Sequence, residues 1–209
     1  MKKAFTLVEL LIVITLISIL SVAVLATINP IEQTNKARDA QFKNDAAEVL
    51  SAYERYFASQ NQYPWNSGAG STVVYGTAVG LDSTNPAFGV VGSAVGITDS
   101  NLFQTSELKT SFYGKAPFKD GGVSVTSLSD MMYTYSNGND QNYVCYFPKA
   151  KVNRTGANAS KLRCLGLGAS PSIALVGSNA NCKAVLTDAL WATTVTPVDS
   201  AANMMCVPE

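Results

Sequence analysis

Glu9 has the clearest chemical consequence in this chain, because it is a lone carboxylate inside an apolar stretch. Lys2 and Lys3 precede it. From residue 10 to residue 31 no side chain is charged, and Thr15, Ser18, Ser21, Thr27 and Asn29 are the polar ones. An ionisable group in a bilayer costs on the order of 2.5–3.5 kcal/mol at mid-depth and somewhat less near a helix end. Glu9 therefore needs a partner. The unpaired N–H groups of a helix N-terminus soften the cost. A free α-amine on a neighbouring chain would neutralise it, if the peptide were cut just before Phe5. Glu9 would then be the fifth residue of the processed chain.

Few other residues offer chemistry. Histidine is absent, which removes the commonest general base and the favourite zinc ligand. No paired carboxylates, nucleophile elbow or ligand cluster suggests catalysis, and no cofactor or metal is expected. Gly166-Leu-Gly168-Ala-Ser170 lacks the Gly-Lys-Ser/Thr that would complete a phosphate loop. Asn137, Asn139 and Asp140 could contribute to a calcium site, but the EF-hand spacing is missing and a solvated turn explains them. Asn153-Arg-Thr155 and Asn158-Ala-Ser160 match the N-glycosylation sequon, a short pattern that often arises by chance. Lys149, Lys151, Arg154, Lys161 and Arg163 gather beside Tyr143, Tyr146 and Phe147. Basic and aromatic residues together suit single-stranded nucleic acid, yet a lysine-studded strand edge that blocks wrong pairing is the favoured reading.

The four cysteines, Cys145, Cys164, Cys182 and Cys206, lie in the last third without a C-x-x-C pair. Their even number and wide spacing favour two disulfides and an oxidising compartment. Three connectivities are open; the sequential one, Cys145–Cys164 with Cys182–Cys206, is the expectation.

The elements that must position these residues follow from hydropathy. The chain has 209 residues, room for one domain and an appendage, with only 14% charged and Lys+Arg balancing Asp+Glu at 15 each. That balance gives no global field for nucleic acid or an anionic membrane. Residues 5–28 as a helix would reach about 36 Å, enough for a hydrocarbon core of about 30 Å. Lys2 and Lys3 place the N-terminus in the cytoplasm and the bulk outside. A secretory signal peptide would have a shorter core, although Ala23 to Ala26 offers a loose cleavage site. An anchored receptor or enzyme would share the span but would not explain Glu9.

Beyond Pro30 the pattern becomes amphipathic. Phe42, Ala46, Val49, Leu50, Tyr53, Tyr56 and Phe57 line one helical face, while Glu32, Lys36, Asp39, Lys43 and Glu48 are assigned to the other. Glu32–Lys36 and Asp39–Lys43 stand at the favourable i,i+4 spacing. The helix should end near Ser59, before Pro64. Pro30 removes one hydrogen bond and predicts a kink or melted stretch near residues 26–30, or else a complete break.

The start Lys-Lys-Ala-Phe-Thr-Leu-Val-Glu-Leu-Leu-Ile-Val-Ile resembles the class III signal of type IV pilins and pseudopilins. The resemblance implies cleavage between Ala4 and Phe5 by a prepilin peptidase, N-methylation of Phe5, and Glu9 as the assembly glutamate. It also implies an assembly platform, a membrane-held precursor and a homopolymer built through N-terminal helices, outside the cell. Ala4 stands where glycine is usual, and Ala26 where a proline often kinks the helix. The match is strong over about 30 residues, continues loosely to Trp65, and does not identify the head.

The expected architecture is α+β. It divides into a leader (1–4), a span or filament-core helix (5–29), an amphipathic helix (30–59) and a β-rich head (60–209). Strands are predicted at 72–75, 89–91, 123–126, 131–135, 143–147, 162–167 and 173–176, with a hairpin turn at Asn137-Gly138 and a short helix at 185–192. About four of these strands should form an antiparallel sheet packed on the amphipathic helix.

Overall fold

A computed structural model describes residues 5–27, 29–66, 78–81, 101–115, 117–118, 130–136, 141–166, 174–175 and 201–208. Two helices lead the chain: α1 (Leu7–Thr27) and α2 (Pro30–Gln60). The irregularity expected at Pro30 takes the form of an interruption. Asn29 is extended (φ −87°, ψ 97°) and its side chain accepts from the Glu32 N–H at 3.2 Å, so it caps α2. Pro30 then occupies the first helical position, where its missing N–H costs nothing and its fixed φ suits the helix. At the other end Asn61 closes α2 in the left-handed region (φ 54°), donating its N–H to Phe57 O at 2.7 Å.

The sheet has six strands among the described residues: β1 (Ala78–Gly80), β2 (Met132–Ser136), β3 (Asn142–Tyr146), β4 (Arg163–Gly166), β5 (Ala174–Leu175) and β6 (Ala201–Val207). Their order is β1-β2-β3-β6-β4-β5, and every neighbouring pair is antiparallel. The C-terminal strand β6 therefore lies near the middle of the sheet. The strands expected at 72–75, 89–91 and 123–126, the Asn137-Gly138 turn with Asn139 and Asp140, and the helix at 185–192 lie outside the described residues.

Alternation along the strands creates two apolar faces. Met132, Val144, Tyr146 and Met205 turn toward α2, where Phe42, Ala46, Val49 and Tyr53 meet them in one buried cluster. Trp65, Leu102, Phe112 and Phe118 extend that cluster. Met131, Tyr133, Tyr135, Cys145, Phe147, Met204 and Cys206 form a second buried cluster from the intervening positions. In this second cluster Cys145 stands directly opposite Cys206, and the two are disulfide-bonded. The sequential pairing Cys145–Cys164 with Cys182–Cys206 is thus overturned. The β3–β6 register sets Cys145 against Cys206, while Cys164 on β4 stands opposite Asn203.

A second correction concerns Asp39. Helical spacing places it on the charged face of α2, but it is only 1% exposed. Its Oδ1 accepts from the Lys149 N–H at 2.9 Å and from Arg38 at 3.2 Å. Its Oδ2 accepts from the Ala150 N–H and from Asn153 Nδ2, both at 2.9 Å. The Arg38 guanidinium lies over the Phe42 ring at 4.0 Å and also donates to Phe147 O at 3.1 Å and Asp130 at 3.0 Å. Burial pulls the Arg38 pKa down against these charges, and Asp130 and Asp39 hold it up. α2 is thereby tied to a turn more than 100 residues away in sequence.

Two further contacts have a pH consequence. The Tyr53 hydroxyl shares a 3.0 Å hydrogen bond with Thr134 Oγ1, and burial pushes its pKa well up. Lys115 reaches Asp45 at 2.6 Å and Glu48 at 2.9 Å. Burial alone would lower the Lys115 pKa, but the hydrogen bonds and charges of both carboxylates outweigh it and raise the value. Both groups hold their protons more tightly when folded. Once pH passes the unfolded values, about 10–10.4, the unfolded chain binds fewer protons and stability falls as pH rises. Urea midpoints of the full chain in detergent should therefore stay level up to about pH 10 and drop above it. A midpoint that still holds level well above that pH would refute this.

Candidate assembly site

Within α1, Leu7–Leu25 is long and apolar enough to cross a membrane, and none of it is buried against the rest of the chain. The helix is apolar all round, which distinguishes it from an amphipathic surface helix. Three of its hydroxyls are turned inward to the backbone. Thr15 donates to Ile12 O at 2.8 Å, Ser18 to Ile14 O and Ser21 to Ile17 O at 2.7 Å each. These side chains carry no unmet hydrogen bond into an apolar surrounding, as a helix in lipid or a helical bundle requires.

Glu9 sits in the first turn of α1. Its Oε2 accepts from the Thr6 N–H at 2.9 Å and the Thr6 hydroxyl at 2.8 Å, while its own N–H donates to Thr6 Oγ1 at 3.3 Å. This reciprocal pair is a capping box, with Thr6 as the cap and Glu9 three residues on. A carboxylate is also favoured there by the helix dipole. Thr6 was not among the expected site residues. The T-x-x-E spacing was the signal that could have found it.

Phe5, immediately before this cap, is 83% exposed, so the bond on its N-terminal side adjoins an open residue. Ala4 lies outside the described residues. Pro30 is 21 positions beyond Glu9, at the first position of α2, so it borders the apolar helix without interrupting it.

The other expected candidates are dispersed. Lys149 pairs with Asp130, Arg163 lies over the Tyr143 ring at 5.3 Å, and the Lys151 N–H donates to Glu32 at 2.8 Å. Of the basic and aromatic residues, Tyr146 and Phe147 are buried, so they offer no stacking face. Asn153 spends its amide on Asp39, and Asn158 Nδ2 donates to Val152 O at 3.0 Å. A sugar on either nitrogen would have to displace those contacts. Among the described residues there is no group of three or more His, Cys, Asp or Glu that could hold a metal.

Residues 1–25 match the prokaryotic N-terminal methylation motif. No curated protein and no solved structure matches the chain. The motif, the exposed apolar α1 and the carboxylate in its first turn occupy the same segment. The chain thus opens with the class III signal peptide of type IV pilins, a motif that supports a pilin-like or pseudopilin protein.

Proposed function

We propose that this chain is a structural subunit of a type IV pilus, carried on the cell surface and serving adhesion, twitching motility or DNA uptake. The observation that supports this most is the methylation motif on a helix that the chain's own head leaves uncovered. In the precursor, lipid covers α1. In the filament, α1 helices of neighbouring subunits replace the lipid. A prepilin peptidase cuts between Ala4 and Phe5, Phe5 is N-methylated, and Glu9 meets the α-amine of a neighbouring Phe5 to set the register between copies. The interruption at Asn29 and Pro30 lets α1 and α2 take independent directions in the packed filament. In the head, the Cys145–Cys206 bond staples β3 to β6.

A pseudopilin of a type II secretion or competence system shares every one of these N-terminal features. Mass spectrometry of the processed chain should find methylated Phe5 at its N-terminus. An intact Met1, or a cut after Ala26, would reject both readings. Electron microscopy of material sheared from the cell surface then separates them: abundant long filaments containing this chain are the pilus outcome, and their absence favours the secretion apparatus.

A further inference from the structure

The sheet is not joined evenly across its six strands. β6 gives Ala201, Ala202, Asn203 and Met204 to β4, opposite Gly166, Leu165, Cys164 and Arg163. It gives Met205, Cys206 and Val207 to β3, opposite Tyr146, Cys145 and Val144. Among the described residues, those last pairs are the backbone ladder that joins β1-β2-β3 to β6-β4-β5.

Strand alternation decides which groups bond across this seam. The Cα atoms of Cys145 and Cys206 are 4.0 Å apart, the close spacing of a pair that exchanges no hydrogen bonds. The bonds of the seam therefore belong to the flanking pairs, Val144 with Val207 and Tyr146 with Met205. By the same alternation the Cys145 N–H turns to Tyr133 on β2, and the Met204 N–H to Arg163 on β4. So short a ladder depends on what else crosses it. The disulfide does, as do Arg163 over the Tyr143 ring and the Tyr146 hydroxyl donating to Met205 Sδ at 3.9 Å. Each side of the seam has separate support. Val144, Tyr146 and Met132 pack on α2, whereas β6 keeps its pairs with β4. Leu162, next to β4, is itself buried in the α2 cluster, so β4 stays beside β3 when the seam parts.

We infer that the β3–β6 seam is a redox-gated joint, closed by the Cys145–Cys206 bond and parted when both are thiols, while the flanking ladders stay folded. A dithiol opens it by supplying two electrons and two protons: the Sγ–Sγ bond breaks, two thiols form, and the dithiol becomes a disulfide. Parting frees the N–H and C=O groups of Val144 and Tyr146, an edge on which a strand of another chain can pair. Thiols persist in a reducing compartment, so the joint closes where the head meets an oxidising one. The joint is the same whether the chain serves a pilus or a secretion apparatus.

The test compares the full wild-type chain with Cys145→Ala/Cys206→Ala, both in detergent without reductant, with amide exchange read residue by residue by NMR. In the wild type, Val144, Tyr146, Met205 and Val207 should exchange together with Tyr133, Ala202 and Met204. In the paired variant the seam amides, Val144, Tyr146, Met205 and Val207, should run ahead of the other three by on the order of a hundredfold. If both sets still exchange together in the variant, at whatever rate, the disulfide only stabilises the head as a whole and the inference fails. A lead by the seam amides already present in the wild type overturns it as well, because the bond then gates nothing. Wild-type chain treated with a dithiol, its new thiols located by alkylation and mass spectrometry, repeats the measurement without a substitution and must show the same lead.

Discussion

Asp39→Ala should destabilise the full chain by about 3–5 kcal/mol, seen as a fall on the order of 10 °C in the unfolding midpoint in detergent. The size follows from what the substitution leaves behind rather than from the strength of one ion pair. Asp39 takes up the N–H groups of Lys149 and Ala150, the Asn153 amide and part of the Arg38 guanidinium. Alanine strands all four donors in a place where water has poor access. A buried charge that keeps its partners is often worth little net, whereas removing one partner is expensive. Asp39→Asn keeps one acceptor oxygen and should lose less, with the Arg38 charge still partly answered by Asp130. If Asp39→Ala unfolded at the wild-type temperature, the carboxylate would not be what ties α2 to the 149–153 turn.

The second large effect belongs to the disulfide. Cys145 and Cys206 are 61 residues apart, and closing a loop of that size restricts the unfolded chain by about 4 kcal/mol on the loop-entropy account. The paired variant Cys145→Ala with Cys206→Ala should lose about 2–5 kcal/mol. Small vacated volumes in the cluster of Met131, Tyr133 and Met204 add to the loss. Urea unfolding of the full chain and of the variant, without reductant, measures it. Peptide mapping without reduction must show the segment around Cys145 joined to that around Cys206. A peptide joining Cys145 to Cys164 instead would contradict the β3–β6 register itself.

Why some of this was legible from residues alone, and some was not, has physical causes. α1 announces itself because a long uncharged run has few other uses. The buried face of α2 follows from helical spacing, and Phe42, Ala46, Val49, Tyr53 and Tyr56 are all buried. Asp39 escaped because helical periodicity knows nothing of a turn about 110 residues away that needs its oxygens. β2 and β3 were visible in alternating aromatic and branched residues, whereas β6 reads Ala-Ala-Asn-Met-Met-Cys-Val. Alanine and asparagine are poor strand formers, so β6 owes its conformation to pairing with β3 and β4 on either side. The same pairing chose among the three cysteine connectivities. Glu9 stood out through its charge, and that prominence drew attention away from Thr6, whose role is only local.

The Thr6–Glu9 box changes what joining a neighbour means for this carboxylate. If Glu9 meets a neighbour's amine as proposed, its Oε2 already accepts from both Thr6 donors, so the amine must exchange with them or bind beside them. The free energy of that step is a difference between two sets of hydrogen bonds, smaller than the new ion pair taken alone. The first turn of α1 must surrender its cap, or share it, as the contact forms. On that proposal, an uncharged threonine is the internal competitor for the carboxylate.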